Sequence, residues 1–128
     1  MKLLLDTHTF LWWLFDDPRL PESARRMLAD PRNCVHVSAA SAWEISTKHR
    51  LGKLDAAKAL VRDIPGWIRK AGFVELPVTA AHAQLAGSFP QPHRDPFDRM
   101  LAAQSVTDDL PIVSRDDALA LFDVQLLW

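Results

Sequence analysis

The stretch KLLLDTHTFLWWLF, residues 2–15, places one carboxylate, Asp6, in the most apolar part of the chain. The leucines before it form a short apolar run that ends at Asp6, and such a run predicts a buried strand. A helical stretch follows, beginning near residues 7–9 and ending at Asp17 and Pro18. The chain therefore starts with a strand that leads into a helix across a single acidic residue.

Further apolar runs predict more strands, with helices between them. The predicted strands are CVHVS at 34–38, FVELP at 73–77 and PIVS at 111–114, with VQLLW at 124–128 as a candidate edge strand. Short strands rich in Val, Ile and Leu that alternate with helices are typical of parallel sheets covered on both faces. We expect an α/β fold, a parallel β-sheet flanked by helices (α/β/α), with residues 1–128 as one domain.

Capping signals locate the predicted helices. Thr79 is expected to cap a short helix, Asp95 to cap a long one with Pro96 at its first position, and Gly52 to end another. The predicted helices cover residues 21–30, 38–51, 56–70 (divided in two by Pro65 and Gly66), 79–87, 95–109 and 115–122.

Composition excludes several classes of protein. Hydrophobic residues make up 48% and charged residues 24% of 128, which is typical of a globular domain rather than a disordered chain. The single cysteine, Cys34, is expected to be buried in a strand, so no disulfide framework is predicted and a reducing cytoplasm fits. No apolar run approaches the roughly 18 residues of a membrane span.

Charge is unevenly distributed, although the net charge is only −1. Residues 44–70 contain seven Lys or Arg against three Asp or Glu, whereas residues 95–128 contain two against seven. This pattern fits either solvated helix faces or a basic rim near an acidic site.

Four acids follow predicted strands or open predicted helices. Asp6 ends the first strand, Asp116 follows PIVS by two residues, Glu44 lies in the helix after CVHVS, and Asp98 lies in the first turn of the helix capped by Asp95. Because the carboxyl ends of parallel strands meet at one edge of a sheet, we expect these carboxylates to crowd one rim.

Each acid also has a structural explanation. Asp6 and Asp116 could cap helices, and Ser41 with Glu44 and Asp95 with Asp98 match capping boxes in outline. The functional explanation is electrostatic. Carboxylates within about 4 to 6 Å of each other repel unless a cation lies between them. Oxygen ligands suit Mg²⁺ or Mn²⁺, which can activate water for attack on a phosphodiester.

The segments LLLDTHTFLW, SAASAWEISTKHRLGKL, HRDPFDRMLAAQS and PIVSRD resemble, in order and spacing, the PIN domain, specifically the toxin ribonucleases of VapBC-type toxin–antitoxin pairs. The resemblance covers essentially the whole chain. It implies a Mg²⁺- or Mn²⁺-dependent endoribonuclease that is inhibited by a small antitoxin and is often a homodimer. The four PIN acids fall on Asp6, Glu44, Asp98 and Asp116, with Asp117 as an alternative to the last. Thr7 and Ser114 match hydroxyl positions beside the metal, and Asp95 could support the site.

Basic and aromatic residues near the acids suggest substrate or partner contacts. Arg99, Lys48 and Arg115 are candidate ligands of the RNA backbone, with solvated surface positions as the alternative. His8 and His93 could contact phosphate or simply pack. The helix containing Phe10 to Phe15 has no polar face, so it is expected to be buried on both sides by the core, a dimer partner or the antitoxin. Trp67 and Trp128 are expected to pack.

Three other functions compete with the ribonuclease. A phosphatase of the haloacid dehalogenase type would use Asp6 as nucleophile, but such enzymes place a second Asp two residues later, where this chain has His8. A PIN-fold interaction module without catalysis would keep the fold alone. A DNA nuclease would use the same acids.

Overall fold

Within residues 1–55 and 58–128, which the computed structural model describes, five strands form one parallel sheet. The strands are β1 (Lys2–Leu5), β2 (Cys34–Ser38), β3 (Val74–Leu76), β4 (Ile112–Val113) and β5 (Leu126–Leu127). Their order is β3-β2-β1-β4-β5, and every neighbouring pair is parallel. The predicted parallel α/β/α fold is confirmed, including the edge strand at the end of the chain.

Helices connect the strands largely as predicted. They are α1 (Thr7–Leu14), α2 (Glu22–Ala29), α3 (Ala39–Arg50), α4 (Lys58–Arg62), α5 (Ile64–Lys70), α6 (Ala80–Ser88), α7 (Pro96–Asp108) and the 3-10 helix η1 (Asp117–Phe122).

The break between α4 and α5 differs from the prediction. It falls at Asp63, whose carboxylate caps α5 by accepting a hydrogen bond from the Gly66 amide, so Pro65 and Gly66 belong to the first turn of α5. A proline early in a helix costs little because its missing N–H would have had no partner there. Ala56, where the helical pattern was expected to begin, lies outside the described residues.

The sheet has a hydrophobic core on each face because side chains alternate along a strand. Leu3 and Leu5 of β1 belong to a large cluster that includes residues of α1, α2 and α5, whereas Leu4 packs in a smaller cluster with Leu101 of α7 and Leu119 of η1. All three β1 leucines are fully buried. β1 is therefore the rigid centre of the molecule, and Asp6 follows it directly.

The first residues of β2 correct one expectation. Cys34, predicted to be buried, is exposed, because it opens the strand, and the alternate positions Val35 and Val37 face the core instead.

Trp128 and Trp67 both pack against the main core, as predicted, and the Trp128 ring meets Trp12 edge-on at 5.9 Å.

The strand order places a crevice beside Asp6. The chain steps from β1 to β2 and β3 on one side, then crosses back to β4 and β5 on the other side of β1. In open parallel sheets, ligands bind at the carboxyl ends of the strands where the order reverses in this way. None of the helices in the described ranges is long and apolar enough to cross a membrane.

Candidate active site

Asp6 and Asp116 are joined through Ser114 at the crevice between β1 and β4. The Ser114 hydroxyl donates to Asp6 Oδ2 at 2.7 Å and accepts from the Asp116 amide at 3.0 Å. The Asp6 amide in turn donates to the Val113 carbonyl at 3.2 Å, which continues the β1–β4 ladder. Strand pairing therefore fixes the position of Asp6 relative to residues more than a hundred positions away.

Asp6 does not serve as a helix cap. It occupies the position before α1, but its carboxylate accepts no capping hydrogen bond from that helix. It is nevertheless 6% exposed, so an ionisable group is buried there without a structural task at the helix end. By contrast, Asp116 does cap η1 by accepting from the Ala118 amide at 3.0 Å.

Glu44 is brought to the same edge by α3. This helix begins at Ala39 with Ser38 as its cap, so the predicted capping box of Ser41 and Glu44 does not form. Glu44 is 4% exposed, and its carboxylate is paired with Lys48 one turn later. Ser41 instead accepts a 2.8 Å hydrogen bond from Thr7 at the start of α1. The contact between Thr7 and Ser41 ties α3 to the strand end that carries Asp6.

Asp98 enters the site from the first turn of α7. Asp95 caps this helix, accepting from the amides of Phe97 and Asp98, as predicted. The Asp98 carboxylate does not complete a capping box, because its Oδ2 lies 2.8 Å from His93 Nε2. The buried Asp98 carboxylate thus pairs with His93 rather than with the helix end.

The four carboxylates act on each other electrostatically. Burial raises the pKa of Asp6 above its usual range; the hydrogen bond from Ser114 opposes the increase, and the charges of Glu44 and Asp116 add to it. Burial likewise raises the pKa of Asp98 to about 6, against the hydrogen bond with His93 and together with the charges of Asp95, Asp6 and Asp116. The ionised forms of these acids therefore repel one another. Perturbed acids of this kind in a crevice are typical of functional sites.

Asp116 fits the fourth acidic position better than Asp117. The charge of Asp116 raises the pKa of both Asp6 and Asp98. Asp117, in the first turn of η1, lines the same cavity as Asp116, but its charge is not among the causes that raise these two pKa values.

The donor set suits a hard divalent cation in its chemistry, since it consists of carboxylate oxygens that repel one another. The side chains are not arranged as a complete metal site, however. Within residues 1–55 and 58–128, no three acidic, histidine or cysteine side chains stand close enough to hold one metal ion without moving. Lys48 pairs with Glu44, and His93 pairs with Asp98. A bound ion would have to replace both contacts.

Arg99 is used inside the protein. Its guanidinium donates to the carbonyls of Ala86, Phe89, Gln91 and His93 at 2.7–2.9 Å, which fastens the loop between α6 and α7. It also lies about 6 Å from the ring centroids of Phe89 and Phe122. This geometry favours a structural role over the RNA contact expected from its position after Asp98.

Lys48 is similarly engaged. Partial burial opposes its charge, but the hydrogen bond and charge of Glu44, with the charges of Asp95 and Asp98, raise its pKa. Lys48 is therefore a counter-ion of the acidic site in this structure.

A cavity of about 530 Å³ opens beside the acids and is lined in part by Asp6, Asp116, His8 and Arg115. Arg115, one of the predicted substrate ligands, thus faces the site. The same cavity is lined by Trp12 and Arg19, which sequence reasoning did not connect with the acids. The tripeptide Asp-Pro-Arg at 17–19 recurs at 30–32, so its sequence alone gave no signal that the first copy borders the site.

Comparison with known proteins agrees with this architecture. Ribonuclease VapC16 of Mycobacterium tuberculosis is 41% identical over 69 residues, which cover 51% of this chain and 49% of that protein. The match thus spans about half the length of this curated relative.

Solved structures with the same fold include two VapBC proteins and FitAcB. VapBC2 from Rickettsia felis, bound to a promoter DNA fragment, has a TM-score of 0.70 at 12% identity over 99% of this chain and 98% of that one. VapBC-1 from nontypeable Haemophilus influenzae also has a TM-score of 0.70, at 15% identity, over 99% of this chain and 97% of that one. FitAcB from Neisseria gonorrhoeae has a TM-score of 0.66, at 22% identity, over 100% of this chain and 97% of that one.

The PIN domain family model matches residues 3–124, nearly the entire chain. The matched range includes Asp6, Glu44, Asp98 and the segment from Ser114 to Asp116. With the parallel sheet and the gathered acids, this match establishes that the chain belongs to the PIN domain family.

Proposed function

We propose that this PIN domain, residues 1–128, is a metal-dependent endoribonuclease that acts as the toxin of a VapBC-type toxin–antitoxin pair. The observation that carries the proposal is that acids from four elements of the fold influence one another: the charges of Glu44 and Asp116 raise the pKa of Asp6, and those of Asp6 and Asp116 raise the pKa of Asp98. Raised pKa values at Asp6 and Asp98 mean that the ionised site is unfavourable until a cation is present. The 41% identity to a ribonuclease supports the same conclusion.

In the proposed mechanism, Asp6, Glu44, Asp98 and Asp116 hold Mg²⁺ or Mn²⁺. When bound, the ion lowers the pKa of water and stabilises charge on the phosphodiester. Ser114 fixes the Asp6 carboxylate through its 2.7 Å hydrogen bond. Lys48 pairs with Glu44 and His93 with Asp98, so both side chains would have to leave these carboxylates for a metal to be held there, and Lys48 would then be available to the RNA backbone. Arg115 borders the cavity from the start.

The test is cleavage of single-stranded RNA by purified protein with Mg²⁺ or Mn²⁺, with EDTA, and in the Asp6→Asn variant. We expect cleavage by the wild type with metal, and none with EDTA or in the variant. Asp30→Asn is the matched control, because Asp30 is an acid that pairs with Arg32 away from the crevice. Cleavage that persists in EDTA or in Asp6→Asn would reject the mechanism. A comparison of RNA with DNA of the same sequence separates ribonuclease from DNA nuclease.

A PIN-fold module without catalysis is the second candidate. Such a module would not need a buried carboxylate that plays no part in capping a helix. Asp6 is such a carboxylate, because it makes no capping contact with α1. A protein that binds partners but cleaves no RNA under any metal condition would support this alternative.

The proposed partners are a small antitoxin and a second copy of the chain, in the cytoplasm. Exposed apolar side chains such as Phe15, Trp43 and Leu51 supply surface for such contacts. Phe15 extends the apolar face of α1, whose Phe10 and Trp12 are buried. Co-expression with the product of an adjacent small gene, followed by light scattering and cleavage assays, should give an inactive complex.

A further inference from the structure

The cavity beside the acids is lined by groups of both charges. Asp6, Asp116 and Asp117 line it together with the guanidinium groups of Arg19 and Arg115. Its volume of about 530 Å³ falls within the roughly 300–1,000 Å³ of ordinary ligand sites. A ligand in this cavity would therefore touch both the acids and two cations.

Both arginines are mounted on one indole. The guanidinium carbons of Arg19 and Arg115 lie 4.9 Å and 4.7 Å from the Trp12 ring centroid. Trp12 itself is 8% exposed and is packed edge-on against Trp128, so the ring provides a fixed surface. Cation–π contact of this kind holds a guanidinium in place while leaving its N–H donors free for other groups.

The donors that remain distinguish these arginines from Arg99. Arg19 donates from Nε and Nη2 to Asp17 at 3.0 Å and 2.7 Å, and within the described chain its Nη1 donates to no protein acceptor. Arg115 donates no hydrogen bond to the described residues, whereas all three guanidinium nitrogens of Arg99 are engaged with carbonyls. Two guanidiniums that lie against one ring and keep unused N–H donors next to an acidic site offer the donors with which arginine binds phosphate.

We propose that Arg19 and Arg115, supported by Trp12, form a clamp for the RNA phosphate adjoining the bond that is cut at the acids. This inference rests on the proposed ribonuclease function and adds to it a positioning site with named residues. The clamp offsets the repulsion that the acids exert on the RNA backbone, and it needs no metal to form.

The experiment measures binding of a fluorescein-labelled, random-sequence RNA octamer by anisotropy, in EDTA so that metal-dependent cleavage does not interfere. Wild type, Arg19→Ala and Arg115→Ala are titrated at several salt concentrations. Arg32→Ala is the matched control, because Arg32 also follows Asp-Pro and forms the same two-pronged pair with its aspartate. Its carbonyl accepts from the Met1 amino group at 3.4 Å, which places it by the amino ends of the strands, opposite the crevice.

We expect Arg19→Ala and Arg115→Ala each to weaken binding on the order of tenfold and to reduce the slope of log K against log salt by about 0.7. Arg32→Ala should match the wild type. Arg19→Lys keeps the charge but loses the planar guanidinium, so it should bind RNA with an affinity between those of the wild type and Arg19→Ala. Circular dichroism of every variant checks that weaker binding is not due to loss of folding.

Three results would overturn the clamp. Arg19→Ala and Arg115→Ala could bind like the wild type, in which case the cavity does not take the backbone. Arg32→Ala could weaken binding as much as they do, in which case only net charge matters. If the wild type neither binds nor cleaves RNA, the proposed function fails together with the clamp, and this outcome is distinct from the other two.

Discussion

Replacement of Asp98 by Asn should make the metal-free protein more stable while abolishing cleavage. The pKa of Asp98 is raised from 3.8 to about 6, so the ionised carboxylate is disfavoured in the folded protein. A difference of about two pKa units corresponds to roughly 3 kcal/mol at about 1.4 kcal/mol per unit, which is an upper limit for a group that retains some solvent contact. Asn has nearly the same shape and can still bond to His93, but it carries no charge.

The pH dependence identifies the cause. Between about pH 4 and 6 the folded protein binds more protons at Asp98 than the unfolded chain does, so the stability of the wild type falls as pH rises through this range and then levels off. The stability of Asp98→Asn does not fall in this way, because asparagine does not ionise. The two proteins should therefore be nearly equal in stability at pH 4, and the variant should be the more stable above pH 6.

Urea unfolding in EDTA at pH 4 and pH 8 measures this difference. Asp30→Asn is a control of opposite sign, because its hydrogen bonds with Arg32 lower the pKa of Asp30 to about 2, and its replacement should give no gain at pH 8. A lower stability of Asp98→Asn at pH 8, or a gain that is equal at both pH values, would refute the electrostatic reasoning.

Three further outcomes are expected. Ser114→Ala removes the donor to the buried Asp6 and should cost about 1–3 kcal/mol in urea unfolding and reduce the cleavage rate; unchanged values for both would contradict the link between Asp6 and Asp116. Arg99→Ala leaves partly buried carbonyls without donors and should cost on the order of 3 kcal/mol, whereas a normal melting temperature with weakened RNA binding would restore the role expected from sequence. Mn²⁺ at about 100 times its Kd should stabilise the wild type by about 2.7 kcal/mol in calorimetry, and it should leave Asp6→Asn unchanged; equal shifts would indicate binding elsewhere.

Local signals predicted the fold well. The apolar runs, the Thr79 cap and the Asp95–Pro96 helix start depend on neighbouring residues, and the structure reproduces them. The placement of Asp6 and Asp116 side by side was also predictable, because the ends of neighbouring parallel strands meet at one edge of the sheet. The exposure of Cys34 was not, since it depends on which end of the strand the helices cover.

The roles of the basic residues could not be read from sequence. Arg99 is engaged by carbonyls of a loop that folds back over it, and Lys48 is engaged by Glu44 because α3 is continuous between them. Arg19 borders the site only because α1 carries Trp12 to the cavity wall. Each of these assignments depends on tertiary packing, which the order of residues along the chain does not display.

Calorimetric titration of Mn²⁺ into chelator-stripped protein tests most directly whether these acids form a metal site. Saturable binding to the wild type that is lost in both Asp6→Asn and Asp98→Asn, but retained in Asp30→Asn, is the expected result. Absence of binding to the wild type, or equal binding to all four proteins, would contradict the proposed centre.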